Sequence, residues 1–321
     1  MWKTIKAELL EIGSAKIEGE PADEFIAKSS AGPGLGGNGS VFFELNGKRV
    51  RLGISETSPV TIYHRENGSA VLCVSDKKIE GRLEKPGQHC PKQAFITITP
   101  SCIYNCRYCS VSKKKLPSKT VDEICGLIEN AGDISAISLT SGVENSAEFE
   151  ELKTIEILKK LKKYNLPIGV SIYPVFGTAK RLASAGASEI KFNLETATES
   201  LFNTLCPNMD RKIIDRELDE AVQILGRGHV FTNLIIGVGE TDEEVAEFLE
   251  NISKRGIIVS LRPLNPGSQM KNFSRPTHER MLSLFSLHTE IMKKYELDTA
   301  KAQTMCIACT GCDLVPFRDA D

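Results

Sequence analysis

The chain has 321 residues, 41% of them hydrophobic, with 40 Lys and Arg against 42 Asp and Glu and a formal net charge of −2. That length buries a substantial core in one large domain, or one plus a small appendage. The balanced charge excludes a generic nucleic-acid or anionic-membrane binder, which carries a basic excess.

Acidic residues interrupt the first segment, Met1-Trp-Lys-Thr-Ile-Lys-Ala-Glu-Leu-Leu-Glu11, where a signal peptide needs an apolar stretch. No apolar run is long enough to span a bilayer, so the expected setting is cytoplasmic, with neither nucleic acid nor membrane as partner. There, ten cysteines point to metal or catalysis rather than to disulfides.

Taken in order, residues 1–93 predict a short helix over 4–12 and a glycine loop at 31–39. The loop would cradle a phosphate only if it opened a helix; an extended pattern, Val41-Phe-Phe-Glu-Leu45, follows instead. Segments 41–45, 48–54, 59–64 and 69–75 alternate apolar and polar residues and are separated by Asn-Gly pairs at 46–47 and 67–68, a hairpin signature. The expectation is a small antiparallel β-unit that caps the bottom of the main fold or docks substrate, capping being the simpler role.

From residue 94 short apolar strands alternate with amphipathic helices. The strands are expected at 94–99, 134–140, 167–173, 189–194, 229–237 and 257–262. The helices are expected at 118–131, 147–164, 177–186, 199–205 with 212–227, 242–254 and 276–295. Asp242 and Thr277 are suitable helix starts. This is an α/β pattern of six βα units around a parallel sheet, a partial (βα)6 TIM-like barrel, with chemistry at the C-terminal strand ends. The organisation is then 1–93, a β-hairpin-rich extension; 94–295, the barrel; and 296–321, a cysteine-rich tail.

Directly after the first barrel strand stands Cys102-Ile-Tyr-Asn-Cys106-Arg-Tyr108-Cys109. Three thiolates on one tight loop can converge on a soft metal centre. Structural zinc wants four protein ligands, and so does a ferredoxin-type cluster; three leave one iron open to a group that is not protein. The tail adds Met305-Cys306-Ile-Ala-Cys309-Thr-Gly-Cys312, similar to the Cys-x-x-Cys-x-x-Cys run of bacterial ferredoxins, and predicts a second [4Fe-4S] cluster, with zinc as its rival. Cys90 is the best-placed fourth ligand; His89, Cys73, substrate or sulfide are alternatives. Cys125 and Cys206 read as small buried hydrophobes.

The cysteine loop resembles that of the radical S-adenosylmethionine (SAM) enzymes. The resemblance implies that Cys102, Cys106 and Cys109 hold a [4Fe-4S] cluster, with SAM on the open iron and Tyr108 near the adenine. SAM would be cleaved to a 5′-deoxyadenosyl radical that abstracts hydrogen from an unactivated carbon. Later strand ends extend the likeness over roughly residues 94–265. Ser141-Gly142 resembles the segment that binds SAM's amino group, with one glycine where two are usual. Asn193 and Glu195 resemble a biotin synthase amide and carboxylate facing ribose and substrate, and i and i+2 share a strand face.

Counting back from Ile235-Ile236-Gly237-Val-Gly239-Glu240-Thr241, in which Ile236 and Gly237 would contact cofactor, Arg211 falls where biotin synthase keeps an arginine on SAM's carboxylate. Arg262, at the last strand end, could bind an anionic substrate, neighbour the second cluster or form a structural ion pair. Together with an auxiliary cluster, the resemblance implies sulfur insertion of the lipoyl synthase kind, with octanoyl-lysine on a carrier domain, a second radical SAM protein and a reductant such as ferredoxin or flavodoxin as partners. The alternatives are another radical reaction (a carbon-skeleton rearrangement or peptide modification), with the auxiliary cluster as conduit or anchor, and a non-enzymatic iron–sulfur or zinc protein.

Overall fold

Helix α1 (Trp2–Ile12) buries Trp2, Ile5, Leu9 and Leu10 on one face. Gly13 ends it at φ 73°, its N–H on the Leu9 carbonyl, a left-handed cap that a residue without Cβ adopts readily. The computed structural model describes residues 1–27, 39–111, 116–266 and 269–320; the glycine loop expected at 31–39 falls outside them except for Gly39.

Six strands follow: β1 (Ser14–Gly19), β2 (Ser40–Leu45), β3 (Lys48–Ile54), β4 (Thr61–His64), β5 (Ser69–Val74) and β6 (Lys77–Glu84). The β2–β3 hairpin turns on Asn46 and Gly47, both at positive φ, as a two-residue hairpin turn requires. The strands close into a barrel in the order β1-β3-β2-β6-β5-β4. β1 runs parallel to both β3 and β4, so the unit is not the simple antiparallel one expected. Closure removes every exposed edge, and Val41, Phe43, Val50, Leu52, Ile62, Leu72 and Leu83 fill the core.

The second layer begins with β7 (His89–Cys90), antiparallel to β8 (Gln93–Thr97). Then come α2 (Val121–Glu129), β9 (Ala136–Thr140), α3 (Ala147–Leu161), β10 (Ile168–Ser171), α4 (Thr178–Ala185), β11 (Glu189–Lys191), α5 (Glu199–Leu205), α6 (Arg211–Leu225), β12 (Val230–Ile236), α7 (Asp242–Lys254), β13 (Ile258–Pro263) and α8 (His278–Lys294). β8 to β13 lie in sequence order, parallel throughout, a partial TIM-like barrel of six strands. Thr241, one residue before the expected Asp242, caps α7 through a reciprocal bond with Glu244; Thr277 caps α8.

The tail forms a short helix, α9 (Met305–Cys309), at the N-terminal end of the sheet. Gln93 and Ser138 accept from the Met305 N–H at 2.8 and 2.9 Å, and Glu189 accepts from the N–H groups of Gln303 and Thr304 at 3.0 and 2.8 Å. The side chain of Lys6, fully buried on α1, donates to Asp319 and to the Thr310 carbonyl, both at 2.6 Å, and the Trp2 indole donates to Asp319 at 3.2 Å. The first helix and the tail are therefore clamped together against the barrel floor.

Candidate active site

The turn after β8 carries the first cysteine set, and the turn after β9 builds its wall. The Gly142 N–H donates to the Thr99 carbonyl at 2.8 Å, and the Ile103 N–H to that of Val143 at 2.6 Å. A Cβ on Gly142 would stand 2.1 Å from the Ser101 carbonyl oxygen, so the chains approach this closely only through glycine. Beneath them lies Glu150, almost fully buried. Its carboxylate accepts from Thr99 Oγ1 at 2.6 Å and Ser141 Oγ at 3.1 Å and pairs with Lys153 at 3.2 Å. Sequence reading passed over Glu150, whose position on a helix face gives no sign of its partners.

Cys102, Cys106, Tyr108, Cys109, Ser141, Gly142, Asn193 and Glu195 line one cavity. Tyr104 and Tyr173, rings 4.7 Å apart, add an aromatic wall that no local motif announced. Glu195 sits at φ 64°, beyond the end of β11, so strand alternation is not what brings it beside Asn193. A non-glycine residue held in that conformation costs on the order of 1–3 kcal/mol and is characteristic of sites. Burial pushes the Glu195 carboxyl up. Its Oε2, Asn193 Oδ1 and Asn233 Oδ1 are each buried without a hydrogen-bond partner, three acceptors able to receive a donor.

Arg211, Ile236 and Gly237 stand outside this cavity. Arg211 Nη1 donates to the Thr196 carbonyl at 3.0 Å, and the guanidinium lies over the Phe202 and Phe248 rings in a separate outer cleft. Ile236 is buried in β12, and the Gly237 N–H donates to Glu240 at 2.7 Å. Cys206 is buried as expected, but its thiol donates to the Tyr108 hydroxyl at 3.6 Å and neighbours Cys106, whose thiol is pushed up first by that contact and then by burial. Cys106 Sγ also lies 3.3 Å from Met209 Sδ. Burial raises Cys102 and pushes Cys109 up to about 11. Such thiols are poor free nucleophiles and ionise when a metal binds.

The second set gathers under the first. Cys90 and Cys309 are hydrogen-bonded, which raises Cys90 and brings Cys309 down to about 7, with Arg49 and Arg51 nearby. Cys306 and Cys312 act on Cys90 as well, whereas Cys73 stands on the small barrel's β5, paired with Thr61 and Lys78. Lys191 Nζ lies 3.9 Å from Cys306 Sγ. Arg262 is half-buried, and the Cys306, Cys312 and Asp313 charges outweigh its burial to hold its pKa high. Arg51 donates to Ser40 at 2.8 Å and touches His89 at 3.1 Å. Cations around four thiols suit an anionic thiolate cluster.

Cys306 and Cys312 line a second cavity, and Thr140, Ser171 and Asn193 line both, so the two share a wall.

The thiols are not gathered as a set around a single ion. Among the described residues, the trio of His, Cys, Asp or Glu ligand atoms that converges within 4.8 Å is Glu11, His278 and Glu279; no three cysteines do. A tetrahedral zinc would draw sulfurs to about 3.8 Å of each other, given Zn–S near 2.3 Å.

Residues 96–252 match the family model of the radical SAM superfamily. The chain is 26% identical over 202 residues to the lipoyl synthase of Leptospira biflexa, covering 60% of this chain and 63% of that one. It is also 26% identical over 214 residues to the 7,8-didemethyl-8-hydroxy-5-deazariboflavin synthase of Synechocystis sp., covering 61% and 68%. In fold it is similar to methylornithine synthase, with TM-score 0.52, 20% identity and coverage of 63% and 62%. It is similar too to the FeFe-hydrogenase maturase HydG of Carboxydothermus hydrogenoformans, with TM-score 0.50, 19% identity and coverage of 63% and 52%. No helix among the described residues is long and apolar enough to cross a membrane.

Proposed function

Since residues 96–252 of this chain are a radical SAM domain, we propose that the protein is an enzyme inserting sulfur into an unactivated C–H of an acyl chain, in the manner of lipoyl synthase. The observation that carries this reading is a pair of neighbouring cavities, one lined by each cysteine set, that share Thr140, Ser171 and Asn193 in their walls. Cys102, Cys106 and Cys109 would hold a [4Fe-4S] cluster and SAM, and Cys90, Cys306, Cys309 and Cys312 an auxiliary cluster. Bound there, these groups supply one-electron cleavage of the sulfonium and a store of sulfide.

The chain's own residues do the rest. Ser141 and Gly142, fixed by Glu150, offer a polar turn to the methionine end of SAM. Asn193 and Glu195 present their unpartnered oxygens to hydroxyl donors such as those of ribose. Tyr104, Tyr108 and Tyr173 line the same cavity and would flank the adenine and exclude water. Arg211 would serve SAM's carboxylate only after leaving the Thr196 carbonyl.

The acyl group is either octanoyl-lysine on a carrier domain, with a second radical SAM protein as partner, or free octanoate. Electrons come from a ferredoxin or flavodoxin in the cytoplasm. A second reading is favoured by the fourth thiol, Cys90, buried against Cys309: with four cysteines no iron stays open, and the auxiliary cluster is an electron conduit for another radical reaction.

The test reconstitutes the protein anaerobically with SAM and dithionite, with octanoyl-lysyl peptide or octanoate, and measures iron, sulfide, 5′-deoxyadenosine and product mass. About eight irons per chain, deoxyadenosine and a product heavier by sulfur, with matching sulfide loss, are expected. Deoxyadenosine with intact acyl groups and undiminished sulfide would replace sulfur insertion by the conduit reading. Zinc in place of iron, with SAM intact, would overturn both.

A further inference from the structure

We propose that the lower cavity selects an acyl substrate with a free carboxylate, held by Arg275, over the same acyl group in amide linkage. This deepens the reading above and rests on it for the acyl class.

The lining includes Arg51, Lys191, Arg262 and Arg275 and no Asp or Glu. Three of these cations already face the cysteines: Arg51, held by Ser40 and His89 with its Nη2 left over, acts on Cys309 and Cys312, Lys191 faces Cys306, and Arg262 answers Cys306 and Cys312. Arg275 differs. Its Nη1 donates to the Leu10 carbonyl at 2.9 Å and its Nη2 to Asn265 Oδ1 at 2.5 Å, and no carboxylate among the described residues pairs with it. Burial outweighs the pull of Cys312 and lowers its pKa, the cost of a charge taken from water without a carboxylate beside it, and a carboxylate would reduce that cost through paired charge-assisted bonds.

The niche is built for this side chain. Gly13, at φ 73°, lies so close that a Cβ there would stand 2.4 Å from the Arg275 Cζ. The remainder of the cavity fixes the substrate's direction. The unpartnered oxygens of Asn193 and Asn233 repel an anion, so its negative end points away from them and toward Arg275. Leu10, Phe95 and Pro263 offer apolar surface to the chain between. Part of Arg275's role is to hold the end of α1 through Leu10, which the substitution series must separate from substrate binding.

Equilibrium dialysis of radiolabelled octanoate, octanamide and n-octyl phosphate against the anaerobically reconstituted protein, with iron counted in the same samples, tests this. Wild-type protein should retain octanoate about tenfold or more better than octanamide. Arg275→Gln should abolish that preference at unchanged iron content, and Arg275→Lys should keep part of it. Equal binding of octanoate and octanamide by wild-type protein, or a preference that survives in a folded Arg275→Gln, would overturn the assignment. Stronger binding of octyl phosphate would also overturn it, making the anion a phosphate. A preference without iron would uphold this site and sink the two-cluster reading; eight irons without a preference would do the reverse.

Discussion

Gly142 shows how tightly a single position sets the site. Gly142→Ala must separate two turns that its Cβ would bring to 2.1 Å of the Ser101 oxygen. We expect a stability loss of about 1–3 kcal/mol, read as a lower urea midpoint, together with weaker SAM binding by calorimetry. His288 is a residue-scale liability of another kind. Both ring nitrogens are buried without partners, and burial alone lowers its pKa from 6.5 to about 3. The unfolded chain therefore takes up a proton that the folded one refuses, so stability is full above about pH 6.5 and falls as pH drops toward 3. His288→Leu should flatten that acid limb in urea titrations from pH 7 down to 4 and add about 1–3 kcal/mol at neutral pH.

At the scale of elements, local chemistry carried most of the legibility. The Asn46-Gly47 hairpin, the Thr277 start of α8 and all six parallel strands could be read from turn residues and periodicity, because each depends on neighbours in sequence. Thr241→Ala removes one half of a capping box and should cost about 1 kcal/mol in unfolding experiments while leaving iron content unchanged. What escaped depends on distant partners. β1 has no turn signal and pairs in parallel with two strands, so barrel closure was not visible. Glu195 left the strand pattern through a positive φ. Arg211 matched a register, yet its guanidinium settled on Thr196, a contact that no counting of positions could reveal.

For the whole molecule the decisive contacts join its first helix to its last residues. Lys6 and Asp319 form an ion pair with side chains 0% and 1% exposed. Lys6→Met leaves a buried carboxylate uncompensated and should cost about 3–5 kcal/mol, most of which Lys6→Met with Asp319→Leu restores. Urea unfolding of the single and double variants measures this, and iron counts should fall only in the single one.

The two cysteine sets also differ in how they come into being. Cys102, Cys106 and Cys109 belong to one short loop, and gathering them closes almost no chain. Cys90 meets Cys306, Cys309 and Cys312 only after the intervening barrel has formed, so the ordering entropy of that encounter is charged to folding. Metal taken up at the first set is a local event that a nascent or partly unfolded chain can perform. On the two-cluster reading proposed above, metal at the second set would bind the native arrangement alone and stabilise it by mass action, a staple between floor, tail and small barrel. Stripping iron with a chelator should leave amide exchange around the first loop altered only locally, whereas α1, β3 and the tail should open together.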